Sequence, residues 1–173
     1  MTSSGVKRYS RDVEGRSDMS LALEKTLIPK TGQPARPATG DAGQRLNVTV
    51  IFTSVEATLA ALRRAGTFAN SLSARITLLV PQIVPYPLPL ESPPVLLDWN
   101  EQRFRMIASE SPVETTVRLY LCRDRVETLK AALSAKSVVV MGRGKSWWPL
   151  TCEKRLVRQL RRAGHEVIVT EGE

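Results

Sequence analysis

Histidine occurs once among these 173 residues, cysteine twice, and aromatic side chains make up only 5% of the chain. A single histidine cannot build a histidine-rich metal centre. Cys122 and Cys152 supply neither a disulfide framework nor a metal cluster. Such cysteine usage suits a reducing compartment, so the cytoplasm is the expected location. No run of 18 apolar residues occurs anywhere, and the N-terminus lacks an apolar stretch of signal-peptide length, so no membrane contact is expected. Acid–base catalysis is left with His165 beside Glu166 at the start of a strand, where a lone histidine reads as a solvent-side or turn residue. Cys152, flanked by Lys154 and Arg155 at a helix start, has a setting that favours its thiolate. Neither residue has the companions a nucleophilic mechanism needs, and the chain reads as a non-enzyme.

What is present is apolar surface and positive charge. Apolar residues make up 42% of the chain, enough for a core, and the net charge is +8. Residues 1–46 carry eight basic and five acidic side chains, and residues 47–173 carry seventeen and twelve. This balance favours phosphate-bearing or other anionic partners. Residues 1–45 are rich in Ser, Thr, Gly, Pro and charge, with one apolar patch between Met19 and Ile28. They bury too little to offset their ordering entropy, so a disordered basic tail is expected ahead of a domain over 46–173. Leu21, Leu23 and Leu27 are the residues by which that tail could dock.

From Leu46 onward the pattern alternates strand and helix. Asn47–Phe52 reads as a first strand, and Thr53-x-x-Glu56 has capping-box spacing before a helix carrying Val55, Leu59, Leu62, Ala69 and Leu72. Ile76–Val80 is a second strand. Six of the eleven prolines then fall between Pro81 and Pro94, which predicts an extended, polyproline-like loop. A second helix is expected over Val95–Ser109, with Leu96, Trp99, Met106 and Ile107 buried. Val113–Leu121 alternates as an edge or half-covered strand does, and Asp124-x-x-Glu127 opens a short helix. Gly164 closes a last helix that begins at Thr151, before a final strand over Glu166–Thr170. Five strands alternating with four helices predict an α/β fold, a doubly wound parallel sheet of Rossmann-like type.

The stretch Ser137–Lys145 is the centre of the candidate site. Val138, Val139, Val140 and Met141 form an uninterrupted apolar run ended by Gly142-Arg143-Gly144-Lys145. Such a run reads as a strand buried on both faces, whose glycines let a ligand approach the backbone at the strand end. The order of elements, together with Met141-Gly142-Arg143-Gly144, Cys122-Arg123-Asp124 and Val167-Ile168-Val169, resembles the universal stress protein family. In that family a Gly-x2-Gly-x9-Gly-Ser/Thr motif and an aspartate after the first strand hold an adenine nucleotide. The resemblance therefore implies ATP or a related adenine nucleotide as ligand, at Thr53, Ser54, Gly142, Arg143, Gly144, Lys145 and Thr151. This chain departs from the pattern. One residue separates Gly142 from Gly144, Leu150 precedes Thr151, and Thr53-Ser54 stands where the aspartate would be. The expectation is a regulatory or stress-response domain with an eroded nucleotide site.

Other chemistries find less support. Gly142-Arg143-Gly144-Lys145-Ser146 matches the end of a phosphate-binding loop, but Val139 occupies the position of its first glycine. A receiver domain needs acidic residues where Thr53, Ser54 and Cys122 stand. The last helix, however, carries Lys154, Arg155, Arg158, Arg161 and Arg162 on one side, an alternative site for an anion or a nucleic acid. The consecutive Val167, Ile168 and Val169 in a strand expected at the sheet edge predict a homodimer joined there, unless the tail covers that edge.

Overall fold

Seven strands form one sheet in the computed structural model, which describes Lys7–Arg8, Leu23–Leu27 and residues 46–90, 93, 97–143 and 150–171. In chain order they are β1 (Lys7–Arg8), β2 (Leu23–Leu27), β3 (Asn47–Ile51), β4 (Arg75–Ile83), β5 (Thr115–Cys122), β6 (Val138–Arg143) and β7 (Glu166–Glu171). The helices α1 (Val55–Leu72), α2 (Leu97–Ser109), α3 (Arg125–Ala132) and α4 (Leu150–Arg162) connect the last five. Spatially the strands run β1-β2-β5-β4-β3-β6-β7, and every pairing from β5 to β7 is parallel. The expected five-stranded parallel α/β sheet is present.

Helices cover both faces, which is why the strands are apolar without alternation. On one face α1 and α2 bury Ala61, Leu62, Ala65, Phe104 and Ile107 against Val48, Val50, Leu78 and Val140. On the other, α3 and α4 bury Leu129, Leu156 and Leu160 against Ile51, Leu79, Val139, Met141 and Val167. The chain changes face at α3, which carries it from β5 across the sheet to β6. That jump leaves β3 beside β6 with their following helices on opposite faces. Their carboxyl ends form the topological switch point of the fold.

Several expectations are corrected. Two short described stretches of the N-terminal segment add to the sheet without bearing on the rest of that tail: β2 lies antiparallel along β5, Leu23 opposite Leu121 and Leu27 opposite Val117, and β1 pairs in turn with β2. β2 thus covers the β5 edge, not the β7 edge that the alternative to pairing would have had the tail cover. A five-residue strand containing Glu24 and Lys25 has no local signal. It exists because the outer strand of a parallel sheet offers a row of unpaired amides and carbonyls.

The α1 cap is Ser54, whose hydroxyl accepts from the Ala57 N–H, so the helix begins one residue later than the Thr53 box implied. Leu72, at the far end of α1, is exposed. On α2 the buried residues are Asn100, Glu101, Phe104, Ile107 and Ala108, whereas Trp99 and Met106 are 56% and 64% exposed. Of the four residues expected to be buried, Ile107 is, Trp99 and Met106 are not, and Leu96 lies outside the described residues. Of the Pro81–Pro94 stretch, Pro81 is extended within β4, and the residues after it form a turn in which the Leu88 N–H bonds the Pro85 carbonyl and the Tyr86–Pro87 peptide is cis. Val84 and Leu90 bury against Leu121, and residues 91, 92 and 94 lie outside the described residues. Arg123 holds this turn down by donating to the Val84 and Leu88 carbonyls at 2.6 Å each, with its guanidinium over the Tyr86 ring.

Candidate functional site

Two neighbouring places at the carboxyl ends of the strands contain the residues singled out in the sequence. The first is the switch point. Thr53, just after β3, donates its hydroxyl to the Gly142 carbonyl on β6 at 2.9 Å, and its N–H bonds the Thr58 hydroxyl. Ser54 is occupied by its capping bond to Ala57. The first turn of α1 lies so close to β6 that a Cβ on Gly142 would fall 1.8 Å from the Ala57 carbonyl oxygen. Gly142 is needed here for helix–strand approach, not for approach of a ligand to the backbone.

The second place lies between α4 and the ends of β6 and β7, on the face opposite α1. Asp124 and Glu127 start the return to this face: Asp124 caps α3 by accepting from the Val126 and Glu127 N–H groups at 2.7 and 3.0 Å. Gly164, with φ of +89°, ends α4 as the Gly164 and His165 N–H groups bond the Arg161 and Leu160 carbonyls. That turn aims the chain back into β7 and packs α4 over β6 and β7. His165 belongs to this turn, the second of the two settings expected for it, and is buried there with its Nδ1 2.9 Å from the Ser137 hydroxyl.

The resulting groove has a volume of about 720 Å³. Its floor is Met141, Gly142, Val157 and Val169, and its walls carry Arg143, Lys154, Arg158, Arg161 and Arg162, with Glu153 the one acidic residue lining it. On α4 the cations recur at i, i+4, i+7 and i+8, a single stripe beside Val157. Two of the five are engaged. Arg143 pairs with Glu171 at 3.3 Å, an exposed pair of small energetic weight, and Arg161 donates to the Val167 carbonyl at 3.0 Å. Lys154, Arg158 and Arg162 form no ion pair with another described residue. Like charges held together repel, and an anion in the groove would relieve that repulsion.

The structure thus splits the sequence-predicted set. Thr53 and Ser54 lie at the switch point with their hydroxyls bonded internally. Gly142 and Arg143 join Lys154, Arg158, Arg161 and Arg162 of the alternative set, while Arg155 is exposed and does not line the groove. Gly144 and Lys145 lie outside the described residues, as does the Thr151 side chain, although Thr151 falls within α4. Met141, Val157 and Val169 were missed as floor residues. Their apolar positions were visible, but the joint between α4 and β7 was not. Cys122 is fully buried and burial pushes its thiol up, which makes it inert.

The order of the five parallel strands and the face change at α3 define a doubly wound α/β domain with helices on both sides of the sheet. This is the fold of the universal stress protein family. A protein of that family from Burkholderia pseudomallei superposes with a TM-score of 0.52 at 19% identity, covering 75% of this chain and 98% of that one. A universal stress protein in complex with cAMP gives a TM-score of 0.48 at 15% identity with the same coverage. No family model matches the sequence, and no curated protein does.

Proposed function

We propose that this chain is a non-catalytic regulatory domain, of the kind that serves stress responses, whose switch point has lost adenine-nucleotide binding. The observation that carries the reading is the Thr53–Gly142 bond of 2.9 Å. It ties together the two strand ends between which a nucleotide would have to enter, and among the described residues Thr53 and Ser54, not a carboxylate, follow β3 there. The likeness to universal stress proteins supports the fold part of the reading. ATP added to the Arg158→Glu/Arg162→Glu protein, whose groove is disabled, should give no saturable heat in calorimetric titration. A low-micromolar dissociation constant in that variant would overturn the closed switch point.

A second reading is favoured by the groove: an anion-binding module on α4. Its cations face a concavity between helix and sheet, which suits a small anion better than a nucleic-acid duplex. In either reading the domain pairs with a second copy through β7, the uncovered edge of the parallel sheet. Among the described residues no helix is long and apolar enough to cross a membrane. A cytoplasmic location is part of the proposal.

A further inference from the structure

We propose that the groove between α4 and the ends of β6 and β7 binds a small molecule carrying two or three linked phosphates on an apolar or aromatic body. This rests on the anion-binding reading and names its ligand. Charge comes first. Among the described residues five cations surround the groove, with Glu153 in its lining and Glu171 paired to Arg143, so their balance is three positive charges. A monophosphate carries about two charges at most, whereas a linked diphosphate carries about three and a triphosphate about four, enough to offset the balance in full.

Donor geometry points the same way. Four of the five cations are arginines, whose planar forks meet phosphate oxygens in pairs. Lys154 to Arg162 spans roughly 12 Å of helix at the α-helical rise, so donors are arrayed along a line and not around a point. A chain of phosphates would lie along that line.

Size and floor set the rest. The volume of about 720 Å³ falls within the range of roughly 300–1,000 Å³ usual for small-molecule sites. Met141, Val157 and Val169 offer an apolar bed that a bare inorganic anion would leave unused. The groove shares Gly142 with the switch point but opens on the face of the sheet opposite α1, where the Thr53 bond does not close it.

The test is calorimetric titration of the full chain at low salt with inorganic tripolyphosphate, ATP and a short single-stranded oligonucleotide. Three proteins are compared: the parent, Arg158→Glu/Arg162→Glu, and Arg155→Glu. Arg155→Glu changes the same helix by the same sign outside the groove. All three altered side chains are exposed, and far-UV circular dichroism checks that the variants remain folded. Tripolyphosphate should bind one per chain, ATP more tightly because its base meets the floor. The double variant should lose at least about tenfold in affinity for both, while Arg155→Glu changes it by less than about threefold.

Equal losses in Arg155→Glu and the double variant would mean diffuse surface charge and would overturn the proposal. Binding of the oligonucleotide but not of tripolyphosphate or ATP would overturn the ligand class while leaving an anion-binding helix. Absence of any binding would overturn the anion-binding reading as well.

Discussion

Replacing Gly142 by alanine tests the central packing claim directly. The added Cβ would sit 1.8 Å from the Ala57 carbonyl oxygen, 2.4 Å from its carbon and 2.9 Å from its Cα. All three are backbone atoms in the first turn of α1, so no side chain can swing aside. To restore ordinary contact the helix start must retreat from β6 by at least about 1 Å, which also stretches the Thr53–Gly142 bond. Overpacking against a rigid neighbour costs typically 1–3 kcal/mol, and the backbone identity of the neighbours places this case at about 2–3 kcal/mol. For a domain of this size that lowers Tm by roughly 8–12 °C.

Gly164→Ala is the control. Its Cβ meets nothing within 4 Å, but φ of +89° is unfavourable for alanine, so a smaller loss of about 1 kcal/mol follows. Differential scanning calorimetry on both variants reads the difference. If Gly142→Ala melts within a degree or two of the parent, or above Gly164→Ala, then α1 does not sit on β6 as described.

Four further outcomes are expected. Arg123→Ala removes two hydrogen bonds and a ring contact from the Pro85–Leu88 turn, and limited proteolysis should then cut near residues 85–92 many times faster; an unchanged digestion pattern would refute the clamp. Deleting residues 1–28 uncovers the β5 edge, so amide hydrogen exchange at residues 117–121 should accelerate while that of β3 does not; equal protection in both proteins would show that β2 does not pair there. The Cys122 thiol, raised by burial, favours the neutral form in the folded state; its stabilising contribution is therefore complete at neutral pH and is lost as pH climbs above the ordinary thiol range, more in the parent than in Cys122→Ala by urea unfolding at two pH values. Light scattering at tens of micromolar should give twice the chain mass, and monomer mass would refute pairing through β7.

Much of the fold was legible because burial on both faces writes itself as unbroken apolar runs, as in Val138–Met141, and because Asp124 and Gly164 mark helix ends by local chemistry. What was misread depended on tertiary contact. Trp99 and Met106 are as apolar as Phe104 and Ile107, and only the sheet beneath α2 decides which stripe is buried. Nothing local to residues 23–27 says that they extend a sheet, since their partner lies some ninety residues away in β5. At the site, the cationic stripe on α4 was plain from its spacing, but its union with Arg143 needed β6 and α4 to be set side by side. Gly142 was recognised as a close-approach glycine, and what approaches it turned out to be a helix.

The strand laid along β5 has a consequence for assembly. A parallel sheet with two bare margins can add neighbours at both and so grow without limit, as fibres do. Here one margin of the parallel sheet is taken by β2, and that side ends in β1, two residues long and both cationic. Among the described residues β7 is the one bare margin of the parallel sheet, and the proposed interface, which uses that margin twice, would be complete once it forms. If copies pair through β7 as proposed, β2 on β5 would hold such edge-to-edge joining to two sheets.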